Sequence, residues 1–346
     1  MNSLNYLSPD FFTARNRFRE YAARAGARLE VLVLEAKGPD GQELTIDIAW
    51  IGTDTPNRLL VHSSGLHGVE GFAGSAIQLQ LLHDLPSLPR DTALVAVHIL
   101  NPFGMAWLRR VNENNVDLNR NFRLDKTYSG APPTYAKLDG FLNPRTPPAS
   151  DLFFAKAAYF ILRHGLSALR QSVVGGQYEF PKGLFYGGSR MEEGPRKYAA
   201  FLTEHLSSAQ KTIAIDVHTG LGKFAEDSLL VEPQDFAELR KIFGPRVTAL
   251  QPDRTSAYRV EGGLQSMIFR VFSRPIFIGQ EFGTYSGVRV VHALREENRW
   301  HHFGGGTLDH TTKRKLKEIF CPASESWRDA VLKRGRELVQ QAVKEL

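Results

Sequence analysis

An α/β fold is the class this sequence predicts, on three observations. They are a strand–helix–strand rhythm between Leu59 and Leu100, a hairpin pattern ahead of it, and 42% hydrophobic residues in a chain of 346, ample for a large core. An amphipathic helix is predicted over residues 10–26. Two strands follow at 29–34 and 44–51 around the turn Pro39-Asp40-Gly41. Residues 59–62 read as a short apolar strand, 72–85 as a helix and 92–100 as another strand. Further strands are expected at 211–217 and 275–280, with a closing helix near 324–346. Residues 129–150 carry several prolines and few apolar side chains, which predicts a surface excursion, not a linker between two cores, and so one domain over 1–346. The glycine- and aromatic-rich stretch 174–190 suits a loop over a site or a well-packed turn.

Composition narrows the function classes. Lys and Arg number 43 against 37 Asp and Glu, a net charge of +6, but the charges are scattered and form no basic tract, so nucleic-acid binding is not expected. Cys321 is the only cysteine, which excludes an internal disulfide and leaves His, Asp and Glu as the possible metal ligands. The N-terminal stretch does not read as a secretory signal, and no run of about 20 apolar residues is present to span a bilayer. A cytoplasmic protein without membrane or nucleic-acid partners is therefore expected; the oligomeric state is not legible.

The string His62-Ser-Ser-Gly-Leu-His67-Gly-Val-Glu70-Gly71 lies between a predicted strand and a predicted helix. Its His67 and Glu70 are three apart, so on a turn both project to one side and can grip one cation. Alone, a His-x-x-Glu pair is weak evidence, because a solvated surface pair explains it as well. A second string, Asn101-Pro-Phe-Gly-Met-Ala-Trp-Leu-Arg-Arg-Val-Asn-Glu-Asn-Asn-Val-Asp-Leu-Asn-Arg-Asn-Phe122, strengthens it.

Together the two strings resemble the zinc carboxypeptidase family, whose signature couples His-x-x-Glu to Asn-Pro-Asp-Gly and then to Val-Asp-Leu-Asn-Arg-Asn-Phe. Phe103 stands where that family has Asp, a departure that concerns turn chemistry. The resemblance implies a single three-layer α/β/α domain with a mixed, mostly parallel sheet, and one zinc ion. Its ligands would be His67, Glu70 and, at the end of a later strand, His218. Two histidines and a carboxylate leave one tetrahedral position for water, as a hydrolytic site needs. The resemblance further implies Glu281 as general base, Arg110 as the group that polarises the scissile carbonyl, and Asp117 as the carboxylate that orients His67. Arg109 is the rival of Arg110, and a shift of one residue would exchange a catalytic role for a solvated one. Asn119 and Arg120 match the pair that receives a substrate carboxylate, Tyr258 a tyrosine that closes over substrate, and Gln265 a position near the specificity pocket, where it hints at a polar or small group.

Hydrolysis of a peptide at its C-terminal residue is the activity expected. The alternative is deacylation of N-acyl amino acids, as in the related succinylglutamate desuccinylase and aspartoacylase family. A silent carboxylate-binding module is a third possibility, against which Glu281 speaks. A serine hydrolase would need Gly-x-Ser-x-Gly, which Gly71-Phe-Ala-Gly-Ser75 does not supply. Cys321 lies beyond all the matched motifs, and the adjacent His301 and His302 are expected to be packed or surface residues because sequence neighbours seldom face one metal.

Overall fold

The computed structural model describes residues 6–124, 127–250 and 261–346. In chain order the strands are β1 (Arg28–Lys37), β2 (Glu43–Gly52), β3 (Arg58–Ser64), β4 (Thr92–His98), β5 (Lys211–Gly220), β6 (Asp227–Val231), β7 (Val247–Ala249) and β8 (Ile276–Gly283). They form one sheet in the order β1-β2-β4-β3-β5-β8-β6-β7. Pairings β3–β4, β3–β5, β5–β8 and β6–β7 are parallel, and β1–β2, β2–β4 and β6–β8 antiparallel, so the sheet is mixed and mostly parallel. The predicted hairpin is β1–β2. Central strands β3 and β4 read as continuous apolar runs because both faces are covered, whereas edge strand β1 alternates and leaves Leu29, Val31 and Val33 exposed.

Helices α1 (Phe11–Arg24), α2 (Gly71–His83), α8 (Phe236–Phe243) and α12 (Glu325–Glu345) cover one face. Helices α7 (Glu193–His205) and α9 (Leu264–Val271) cover the other, through Tyr198, Phe201, Leu202, Met267 and Ile268. The result is a three-layer α/β/α architecture. Helix α2 is buried almost all round and has no polar face, which its sandwiching between the sheet, α1 and α12 explains.

The remaining helices are α3 (Pro102–Ala106), α4 (Pro133–Leu142), α5 (Phe153–His164), α6 (Leu166–Val174), α10 (Gly287–Phe303) and α11 (Thr311–Phe320). Of these, α4, α5, α6, α10 and α11 share one apolar cluster. The stretch 129–150 therefore departs from the expected surface excursion: α4 lies within it and buries Tyr135, Leu138 and Leu142. Its prolines punctuate the helix and do not forbid it. Pro133 sits in the first turn, where a missing N–H is harmless, and Pro144 follows the end.

Candidate metal centre

Each expected ligand stands at the carboxyl end of a parallel strand, where open α/β sheets place their ligands. His67 follows β3, Glu70 opens α2, and His218 lies on β5 in register with Glu281 on the adjacent β8. The 67–70 turn is pinned to the second motif. The N–H groups of Gly68 and Val69 donate to the carbonyls of Arg110 and Arg109 at 3.0 and 2.9 Å. A Cβ on Gly68 would stand 2.1 Å from the carbonyl carbon of Gly104, so only glycine lets the two strings touch. The Gly104 turn is capped by Asn101, whose Oδ1 accepts from the Gly104 N–H at 2.8 Å, while Phe103 stacks on Trp107.

His67, Glu70 and His218 are buried, and one ligand atom from each lies within 4.8 Å of the others. The Nδ1 of His67 is 3.0 Å from Glu70 Oε1, and the Nδ1 of His218 is 3.2 Å from Glu70 Oε2. The far nitrogens are held by carboxylates: His67 Nε2 is 3.0 Å from Asp117 Oδ1 and His218 Nε2 is 2.8 Å from Asp216 Oδ2. A proton on Nε2 of each ring leaves the Nδ1 lone pairs converging beside Glu70, the tautomer a cation requires. The Nδ1 of His67 is buried and, although 3.0 Å from Glu70 Oε1, makes no well-formed hydrogen bond, as suits a nitrogen whose lone pair faces a cation site. The donor set, two imidazoles and a carboxylate, can hold a metal ion.

Asp216 went unnoticed in the sequence. Its signal was present, because Asp-x-His on a strand places both side chains on one face. Its Oδ1 accepts from Ser63 Oγ on β3 at 2.7 Å, fixing the carboxylate.

The centre is rich in buried negative charge. Burial alone would raise the Glu70 carboxyl, but the charges of His67 and Arg110 outweigh it and hold it far below its ordinary value. Asp117 behaves alike: burial is overcome by Arg110, Arg120 and His67, and its carboxyl stays well down. Burial opposes charge on His218, yet Asp216 and Glu70 raise it well above an ordinary imidazole. Glu281 differs. Burial pushes its carboxyl up to about 7, against the lowering influence of His218, and its Oε1 accepts from the Leu221 N–H at 2.8 Å.

Arg110 reaches the ligands: Nη1 donates to Glu70 Oε1 at 2.6 Å and Nε to Asp117 Oδ2 at 3.3 Å. Its Nη2 is 2.8 Å from His67 Nε2, a contact that competes with Asp117 for that nitrogen. Arg109 points away and is wholly buried against Glu297, Asn115 and Asn298, which corrects the solvated role expected of the non-catalytic neighbour. Asn119 lines the same cavity as the ligands, and its Oδ1 accepts from the Leu264 N–H, which leaves its own N–H groups uncommitted by that bond. Arg120 does not line the cavity. Its Nε and Nη2 donate to the Val174 carbonyl at 3.1 and 2.5 Å and its Nη1 to the Asn119 carbonyl at 2.9 Å. Gln265 stands at the start of α9 on the cavity wall, and Tyr258 lies outside the described residues.

The loop 174–190 is both things its sequence allowed. Asn115 Nδ2 donates to the Pro181 and Gly183 carbonyls and packs the turn, while Phe185 faces the cavity with the Arg110 guanidinium 5.7 Å from its ring centre. Cys321 is buried and its thiol is pushed up to about 11 by burial, which removes it as a nucleophile. Among the described residues His301 and His302 belong to no metal-ligating group, and burial lowers them to about 3 and about 4. No helix among the described residues is long and apolar enough to cross a membrane.

A family described as protein of unknown function (DUF2817) matches residues 7–334. No curated protein matches the sequence. Among solved structures, bovine thrombin-activatable fibrinolysis inhibitor, in complex with tick carboxypeptidase inhibitor, is 13% identical with a TM-score of 0.51, covering 98% of this chain and 97% of that one. Carboxypeptidase A from Helicoverpa armigera is 13% identical with a TM-score of 0.47, covering 92% and 74%. A succinylglutamate desuccinylase from a Silicibacter species is 15% identical with a TM-score of 0.39, covering 80% and 67%. At 13% identity the likeness to thrombin-activatable fibrinolysis inhibitor shows a shared fold.

Proposed function

The chain belongs to the DUF2817 family of proteins of unknown function, and we propose that it is a zinc-dependent hydrolase of an amide bond next to a free carboxylate. One observation carries the reading: both Nδ1 atoms converge on Glu70 while both Nε2 atoms are held from behind by buried Asp117 and Asp216. His67, Glu70 and His218 would hold the ion. When bound, it supplies the Lewis acidity that activates water and polarises an amide carbonyl. Glu281, with a carboxyl near neutrality, takes the proton from the attacking water and returns it to the leaving amine. Arg110 offers its guanidinium to the carbonyl oxygen as charge develops there. Asn119 and Gln265 hold the substrate carboxylate from the cavity wall, and Arg120 steadies Asn119 through its carbonyl.

Two substrate classes fit that chemistry, a peptide cut at its C-terminal residue and an N-acyl amino acid. The second gains from a specific feature, the largely apolar cavity beside the ligands. The test begins with metal. After zinc supplementation at neutral pH the purified protein is expected to carry about one equivalent, and less than about a tenth sinks the proposal. A panel of dipeptides and N-acyl amino acids is then assayed for amino-acid release. Glu281→Gln is expected to keep its metal and lose about 10²–10⁴-fold in rate. Full metal content without hydrolysis of any panel member would instead support a carboxylate-binding module.

A further inference from the structure

The cavity that opens on the metal centre has a volume of about 360 Å³, within the range of small-molecule sites. Most of its wall plays no part in the chemistry described above. Leu138 and Phe141 of α4, Phe160 and Ile161 of α5, Leu169 of α6 and Val290 of α10 line it without a charge among them. Apart from Ser286, the polar side chains that line it belong to the metal centre, to Thr219 beside it, and to the Asn119–Gln265 pair. Apolar side chains from four helices, lining one cavity, gain dispersion contacts from an occupant of matching chemistry.

The two ends of this cavity are built differently. Asn119 Oδ1 accepts from the N–H of Leu264, the neighbour of Gln265, and Leu264 belongs with the cavity-lining Phe277 to the cluster on the α7–α9 face of the sheet. The α4–α6 wall packs instead with Phe185, Leu294 and Phe320 in a separate cluster. With the substrate carboxylate on Asn119 and Gln265, the α4–α6 wall is the apolar part of the cavity left for the group on the other side of the scissile bond.

We propose that the α4–α6 wall binds a bulky apolar acyl group, making the preferred substrate an N-acyl amino acid, or a peptide, with a large hydrocarbon portion on the acyl side of the amide. This rests on the hydrolytic reading above for the identity of the bond cut. It also departs from the small or polar preference that Gln265 suggested, since Gln265 stands at the carboxylate end.

Calorimetry on the zinc-loaded protein, with N-octanoylglycine, N-acetylglycine and N-acetylphenylalanine as probes, tests it alongside hydrolysis of the same three. N-Octanoylglycine is expected to bind at least about a hundredfold tighter than N-acetylglycine, since each buried methylene contributes about 0.8 kcal/mol. Ala157→Trp fills the cavity from α5 and is expected to remove at least about tenfold of that gain while leaving N-acetylglycine binding unchanged. Should that variant not fold, Ile161→Gln, at a half-buried position, is expected to cut the gain in the same direction. Equal affinity for the octanoyl and acetyl compounds overturns the inference, as does a gain confined to N-acetylphenylalanine. Tight octanoyl binding that Ala157→Trp weakens, with no amide cleaved, overturns the hydrolytic reading and supports the apolar occupant.

Discussion

Asp216 and Asp117 do the same work from opposite sides of the centre. Each faces the Nε2 of one ligand histidine and so fixes which nitrogen offers its lone pair. Removing the charge of Asp216 while keeping its shape isolates that effect. Asp216→Asn is expected to fold normally and to bind zinc about 10–100-fold more weakly in a chelator competition; unchanged affinity would show that His218 needs no such partner. Arg120 acts differently, because its guanidinium is wholly buried on backbone carbonyls. Arg120→Ala leaves the Val174 and Asn119 carbonyls unpartnered and opens a void. Urea unfolding should lose about 2–4 kcal/mol of stability. A loss below about 0.5 kcal/mol, with binding of carboxylated substrate abolished, would return Arg120 to a role in carboxylate capture.

Elements explain why two adjacent arginines diverge. The carbonyls of Arg109 and Arg110 both accept from the 67–70 turn, so their backbone is fixed, and consecutive side chains then point to opposite sides. Arg110 falls on the ligands. Arg109 falls on α10, where Glu297 Oε1 accepts from it at 3.0 Å and from Lys313 of α11 at 2.6 Å. All three side chains are buried, so this carboxylate joins the loop after α3 to two helices that wall the cavity. Glu297→Ala would strand two buried cations. It is expected to cost about 3–5 kcal/mol in unfolding free energy, a penalty that Arg109→Met in the same chain should partly relieve; a cost under about 1 kcal/mol contradicts the network's structural role.

The molecule as a whole carries a pH dependence to which buried neutral histidines outside the ligand set contribute. Burial lowers His62 and His98 to about 4 from an ordinary 6.5. His98 stacks on Phe18, and its Nε2 is 3.0 Å from Ser75 Oγ, while His62 faces Gln78. Between pH 6.5 and 4 the unfolded chain binds protons that the folded chain refuses, so stability is complete above pH 6.5 and falls as pH drops through that window. At about 1.4 kcal/mol per group per pH unit, each histidine removes about 2 kcal/mol by pH 5. For His62 and His98 together that is about 4 kcal/mol between pH 7 and pH 5. Half-buried His301 and His302 deepen the fall and Glu281, raised to about 7, opposes it, so urea unfolding of zinc-free protein should lose stability across that interval. A flat profile across that interval would mean that both rings ionise within the fold.

Sequence by itself determined the α/β class, the hairpin and the central strands, because buried strands and punctuating turns are written in local pattern. It also singled out His67 and Glu70 by their spacing and, through the resemblance that the two strings carry, His218, which the fold brings beside them, and Glu281, which lies in register with His218. Tertiary structure alone decided the rest. Helix α4 was hidden by prolines that mark its ends, and the apolar wall was hidden because its residues come from four helices and share no periodicity along the chain. Only the fold shows that Ser63 of β3 fixes the Asp216 carboxylate, and that Arg110, which the resemblance favoured, reaches the ligands while Arg109 turns to Glu297. The division follows the physics. Local pattern records which side of an element is buried, whereas the partner that buries it, and so the shape and chemistry of the cavity, exists only after distant segments meet.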